Sequence, residues 1–140
     1  MKGADGLFNI DARSSTPIYE QIINAVKESI IKGILMPGDK LPSVRELASM
    51  LTTNPNTVSK AYSELERMKI IETLRGKGTF VAIDYKPKLE EDKMAKLKED
   101  LKKLLMDAHY MGIKKGDIKK IMDELYGELL GDSEGGDNNE

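Results

Sequence analysis

Residues 42–62 read Pro-Ser-Val-Arg-Glu-Leu-Ala-Ser-Met-Leu-Thr-Thr-Asn-Pro-Asn-Thr-Val-Ser-Lys-Ala-Tyr, two helix starts in one short stretch. Ser43 and Glu46 have the Ser-x-x-Glu spacing of a capping box, in which hydroxyl and carboxylate satisfy orphan N–H groups at a helix start. Leu47, Ala48 and Leu51 then recur at helical spacing and give one apolar face. Thr52 and Thr53 end that helix, Asn54 is a good N-cap, and Pro55 fits a first helical position, where a missing N–H costs nothing. The second helix is expected to run to about Met68 and to bury Val58, Ala61, Tyr62 and Leu65. Its start sets Asn54, Asn56 and Thr57 beside backbone N–H groups expected to be unpaired, an end suited to phosphate and base-edge contacts. The pattern is a helix-turn-helix.

Two runs rich in β-branched residues follow, Ile70 to Arg75 and Thr79 to Ile83, joined through Gly76-Lys77-Gly78. They predict a β-hairpin whose glycines can adopt positive φ and let backbone approach a ligand. Arg75 and Lys77 put positive charge at its tip. A helix-turn-helix followed by a basic hairpin is a winged helix, with one helix for the major groove and the wing for the flanking backbone or minor groove.

A helix precedes this core. Thr16 is the expected N-cap and Pro17 the first helical position, with Ile18, Ile22, Ala25, Val26, Ser29, Ile30 and Ile31 facing inward and Gly33 at the end. Met36-Pro37-Gly38-Asp39 is a turn, and Lys40-Leu41 can add an edge strand to the hairpin. Beyond Lys86-Pro87-Lys88, Met94, Leu97, Leu101, Leu104, Ala108 and Met111 recur at heptad-like spacing. Gly112 to Gly116 predicts a bend, and Asp117 to Leu130 a second amphipathic helix with Ile118, Ile121, Met122, Leu125 and Leu129 inward. Two such helices bury their stripes partly by folding back on each other and the rest by meeting a second copy, so this segment is expected to dimerise. The expected class is mainly α with a small β-hairpin: a flexible N-terminus (1–9), a winged helix-turn-helix domain (10–84), a linker (85–88), a dimerising helical hairpin (89–130) and a disordered acidic tail (131–140).

The chain has 140 residues, no cysteine and one histidine, His109. That excludes a disulfide framework and thiolate metal sites, fits a reducing cytoplasm, and leaves no ligand set for zinc. No apolar run spans a membrane and no signal-peptide pattern opens the chain. The net charge of −2 divides unevenly. Residues 1–85 carry 11 Lys/Arg against 10 Asp/Glu, and residues 86–140 carry 11 against 14. The half that carries the helix-turn-helix is therefore only weakly basic, and if it binds DNA, affinity is expected to rest on two-fold symmetry and direct contacts more than on a strong field.

The run Leu41-Pro42-Ser43-Val44-Arg45-Glu46-Leu47-Ala48 and the wing Arg75-Gly76-Lys77-Gly78-Thr79-Phe80-Val81 resemble the GntR family of bacterial transcription regulators. Ile18-Tyr19-Glu20-Gln21-Ile22, Asn54-Pro55-Asn56-Thr57-Val58 and the short C-terminal part resemble its YtrA-like branch. The resemblance implies that Arg45 approaches DNA from the helix before the recognition helix. It implies that Asn54, Asn56, Thr57 and Ser59 face bases and phosphates, and that Gly76, Lys77 and Gly78 reach the minor groove. Many members carry at the place of Ser59 an arginine that reads a guanine. Here the positive charge falls at Lys60, which puts an operator core unlike the family's usual one among the expectations. With Ser43, Pro55, Lys60 and Arg75, these residues make up the candidate DNA-binding set.

The expected function is a homodimeric, sequence-specific transcription regulator, a repressor, acting on an inverted-repeat operator in double-stranded DNA. The resemblance further implies a link to genes for membrane transport. A small-molecule effector, if one acts, would sit at the dimer interface or between the two parts, because the C-terminal part is too short for a deep pocket. The alternative is a winged helix used as a protein-interaction module, against which the basic wing tip and the polar helix start argue. No nucleophile–base pair, metal set or cofactor motif is present, so neither catalysis nor a cofactor is expected. Gly76-Lys77-Gly78 lacks the full phosphate-loop pattern.

Overall fold

A computed structural model describes residues 7–131. The expected flexible start, as far as residue 6, and the expected acidic tail from residue 132 lie outside the described residues. The chain divides between Tyr85 and Lys86 into two compact units.

The first unit opens with α1 (Ile18–Ile31), whose N-cap is Pro17, one residue later than expected. Gln21 explains the shift. Its side-chain amide donates to the Asp11 and Thr16 carbonyls at 2.9 and 2.8 Å and accepts from the Asp11 N–H at 2.8 Å. It thereby fastens the leading arm to the helix without a Thr16 cap. Ile22, Ile23, Val26 and Ser29 are buried. Ile23 was not among the expected inward residues, and Ile31, which was, stands 48% exposed.

Strand β1 (Lys40–Leu41) leads into α2 (Val44–Leu51) and α3 (Pro55–Arg67), and strands β2 (Ile71–Leu74) and β3 (Gly78–Val81) form the hairpin. The sheet order is β1-β3-β2, antiparallel throughout, so the anticipated edge strand is present. Between α2 and α3 the chain turns at Thr52, which takes a left-handed conformation (φ 50°) as the C-cap. Ile22, Val26, Leu41, Leu47, Val58 and Leu65 are fully buried side chains and knit α1, β1, α2 and α3 into one core. Burial of each such aliphatic side chain contributes about 1.5–3 kcal/mol. All four residues expected on the inner face of α3 are buried. The core thus grips α3 by one face and leaves its other face and its start to solvent.

The second unit holds α4 (Glu91–Tyr110) and α5 (Lys115–Leu130). Gly116, expected in the bend, falls instead inside the first turn of α5. The Asp117 carboxylate accepts from the Lys114 N–H at 3.1 Å, and the helix starts earlier for it. Ala108 is buried and Met94, Ile118 and Leu129 are half-buried. Leu97, Leu101, Leu104, Met111, Ile121, Met122 and Leu125 are exposed, Leu104 by 64%. Folding back therefore covers little of either stripe in the single chain.

Candidate nucleic-acid interface

The helix-turn-helix is built on two working caps. The Ser43 hydroxyl oxygen accepts from the Glu46 N–H, and the Glu46 carboxylate accepts from the Ser43 N–H, both at 3.1 Å. These bonds from Ser43 hold the Glu46 carboxyl below the usual carboxylate range. Arg45 projects from the first turn of α2 as an exposed side chain. The N–H groups of Val44 and Arg45 meet no acceptor among the described residues.

At the start of α3 the sequence expectation needs a correction. The Asn54 side-chain oxygen accepts from the Asn56 N–H at 2.8 Å, and the Asn54 carbonyl accepts from the Thr57 N–H at 3.0 Å. Pro55 has no N–H to offer. The first-turn donors of α3 are consumed by its own cap, so backbone N–H groups for an anion sit at the start of α2 instead. What α3 presents is side chains. Asn54, Pro55, Asn56, Ser59 and Lys60 are exposed, and Thr57 is half-buried.

Lys60 is less free than its exposure suggests. Its ammonium stands 3.8 Å from the centroid of the Tyr19 ring on α1, a cation–π contact that fixes where the charge lies. Arg67 is engaged by Glu64 at 2.8 Å, which raises the guanidinium pKa and lowers that of the carboxyl through a charge-assisted hydrogen bond. Arg67 therefore adds little free positive charge to the outer face of α3.

In the wing, Leu74 pairs with Gly78, leaving Arg75-Gly76-Lys77 as the exposed connecting loop. The Lys77 N–H donates to the Leu74 carbonyl at 2.8 Å. Gly76 and Gly78 have φ of 79° and 122°, conformations that side-chain-bearing residues rarely adopt, and this is the reason for glycine at both places. The structure brings Gly78 against Lys40 of β1. A Cβ built on Gly78 would lie 2.9 Å from Lys40 Cε and 3.6 Å from Lys40 Nζ.

The sequence reading thus missed two residues, Tyr19 and Lys40. The signal for Lys40 was present in the anticipated pairing of Lys40-Leu41 with the hairpin, while nothing in the spacing linked Tyr19 to Lys60. Elsewhere, an open groove of about 420 Å³ runs beside α1, lined by Asn9, Asp11, Gln21, Asn24, Glu28 and Lys32 among others. Among the described residues, no His, Cys, Asp and Glu residues gather in a group able to hold a metal ion. No helix there is long and apolar enough to cross a membrane.

Residues 18–81, from the start of α1 to the end of β3, match the family model described as bacterial regulatory proteins, gntR family. The HTH-type transcriptional repressor YtrA of Bacillus subtilis (strain 168) is 55% identical over 134 residues, 96% of this chain and 100% of the relative. Among solved structures, a protein titled transcriptional antiterminator from Listeria monocytogenes EGD-e aligns with a TM-score of 0.80 and 44% identity. That alignment covers 89% of this chain and 92% of the other. A GntR family transcriptional regulator from Listeria monocytogenes aligns with a TM-score of 0.56 and 36% identity, over 82% and 98% of the two chains. The capped helix pair, the buried inner face of α3 and the wing all lie within the matched segment, and the chain belongs to the GntR family of bacterial DNA-binding transcription regulators, in its YtrA-like branch.

Proposed function

We propose that the chain is a repressor that binds an inverted-repeat operator as a homodimer, with α3 of each protomer in one of two successive major grooves about 34 Å apart. One observation carries the reading: the core holds α3 by Val58, Ala61, Tyr62 and Leu65, while Asn54, Asn56 and Ser59 stand exposed on α3 and its N-cap and Arg45 stands exposed in the first turn of α2. Ser43 and Pro55 set the two helix starts, and Thr57 adds a half-buried hydroxyl to the same end. Arg75, Gly76, Lys77 and Gly78 form the wing that follows the flanking backbone or minor groove.

The exposed stripes of α4 and α5 support the dimer. Leu97, Leu101 and Leu104 on one helix and Ile121, Met122 and Leu125 on the other leave apolar surface of the kind a second copy covers. The YtrA name of the relative supports repression, and membership of the YtrA-like branch supports genes for membrane transport as the regulated set.

Selection of bound sites from a random DNA pool tests the reading. A palindromic motif whose half-sites lie about one helical turn apart is expected. Recovery of no enriched sequence, or of a single unrepeated half-site by a monomer, overturns it.

A further inference from the structure

We propose that Lys40, which precedes the helix-turn-helix in sequence, is an additional contact to the DNA phosphate backbone, lying beside the tip end of the wing in space that the absence of a side chain at Gly78 leaves open. The proposal rests on the operator-binding reading above and adds a residue and a positioning device to it. Strand β1 has only two residues, and they alternate: Leu41 is buried in the core and pairs with Thr79, while Lys40 is exposed and pairs with Phe80. The lysine stem bends over β3 next to Gly78, filling space that a Cβ would occupy at 2.9 Å.

The ammonium is consequently carried to the end of β3 that leads into the Arg75-Gly76-Lys77 loop. Its charge also reaches across to α2, where it contributes to lowering the Glu46 carboxyl pKa. Yet Lys40 takes part in none of the ion pairs among the described residues, which are Lys32–Glu28, Arg67–Glu64, Lys93–Glu90, Lys96–Asp100 and Lys103–Glu99. It is a solvated cation set between the start of α2 and the wing, the two parts of the surface that approach the duplex. A compact point charge with no planar fork suits a phosphate rather than a base edge, so Lys40 contributes affinity and register without sequence information.

The test uses the full chain on its selected operator and on an unrelated duplex. Lys40→Gln is expected to weaken binding to both by a similar factor, about eightfold per protomer at 0.1 M monovalent salt, with the log–log salt slope shallower by about 0.9 per protomer. Lys40→Arg restores both values, and thermal unfolding of the two Lys40 variants stays as in the parent. Gly78→Ala, which displaces the lysine, weakens binding in the parent background and adds no further salt-slope change to Lys40→Gln. Arg45→Ala is measured alongside. If Arg45→Ala weakens operator binding while Lys40→Gln keeps the parental affinity and slope, the Lys40 proposal is overturned and the operator reading stands. If neither variant changes binding, the operator reading itself fails, and the Lys40 proposal with it.

Discussion

The Tyr62 hydroxyl donates to the Pro42 carbonyl at 2.7 Å, a buried bond that spans twenty residues and joins the middle of α3 to the chain just ahead of α2. Pro42 cannot continue a strand as a donor, and its carbonyl would otherwise lie unpaired where β1 gives way to the capping box. The bond fixes α3 relative to the segment that carries Arg45, so a core hydrogen bond sets the geometry of the outer surface.

Tyr62→Phe is expected to keep the fold and cost about 1–3 kcal/mol, because the ring still fills its site while the carbonyl loses its donor. Denaturant unfolding at neutral pH measures the loss. Burial pushes the Tyr62 hydroxyl pKa well above its ordinary value near 10. A group whose pKa is raised by folding contributes stability that is complete below the unfolded-state value and declines as pH rises toward the folded one. The parent should therefore lose stability above about pH 10, and Tyr62→Phe should lose less across the same range.

The capping box gives the opposite pH signature. The Glu46 carboxyl is held low by the bonds from Ser43, so its contribution is complete above the ordinary carboxylate range and declines as pH falls through the lowered folded-state value. Ser43→Ala should cost about 1 kcal/mol near neutrality through the lost cap. Urea unfolding followed from pH 7 downward should show a smaller acid-dependent loss in this variant than in the parent. Equal acid profiles would remove the box from the account of α2.

The sequence made the helix-turn-helix legible because both helix starts are written in short-range chemistry: a Ser-x-x-Glu box and an Asn-Pro cap, each complete within four residues. The stripe at Val58, Ala61, Tyr62 and Leu65 was legible for the same reason, since helical spacing alone selects the face. What spacing could not show was long-range. The Lys60–Tyr19 stacking depends on how α1 crosses α3, and Lys40 meets Gly78 only because β1 docks on β3 with Lys40 opposite Phe80. The closing of the first-turn N–H groups of α3 was readable in principle, because an asparagine cap followed by proline leaves few donors to fill. The same cap that located the helix argued against a backbone anion site there.

Arg45 and Lys77 should separate by the kind of contact each makes. Lys77→Ala, at the wing tip, is expected to weaken binding almost uniformly across sequences and to reduce the salt slope by about 1 for each protomer. Arg45→Ala is expected to weaken binding to the selected operator by roughly 5- to 150-fold per protomer, the loss of about 1–3 kcal/mol that follows when a guanidinium contact to a base edge is removed. Fluorescence anisotropy titrations on operator and scrambled duplexes between 50 and 200 mM salt, on the order of the range where phosphate contacts dominate, distinguish the two. Unchanged affinity in both variants would clear this face of any part in DNA binding.

Leu104, 64% exposed on α4, supplies a test of the dimer that leaves the winged helix untouched. In a homodimer closed by the α4 and α5 stripes, Leu104→Asp would bury an unpaired carboxylate in each copy. The penalty is on the order of 3 kcal/mol per carboxylate, so about 6 kcal/mol for the two, roughly ten-thousandfold in the dimer dissociation constant. Sedimentation velocity should show the variant as a monomer at concentrations where the parent is dimeric. Far-UV circular dichroism and the melting of the core around Tyr62 should be unchanged, since that core lies in the first unit. Operator affinity should fall with dimerisation, because one recognition helix no longer holds the second at high local concentration. A variant that sediments as the parent does would mean these stripes serve another partner.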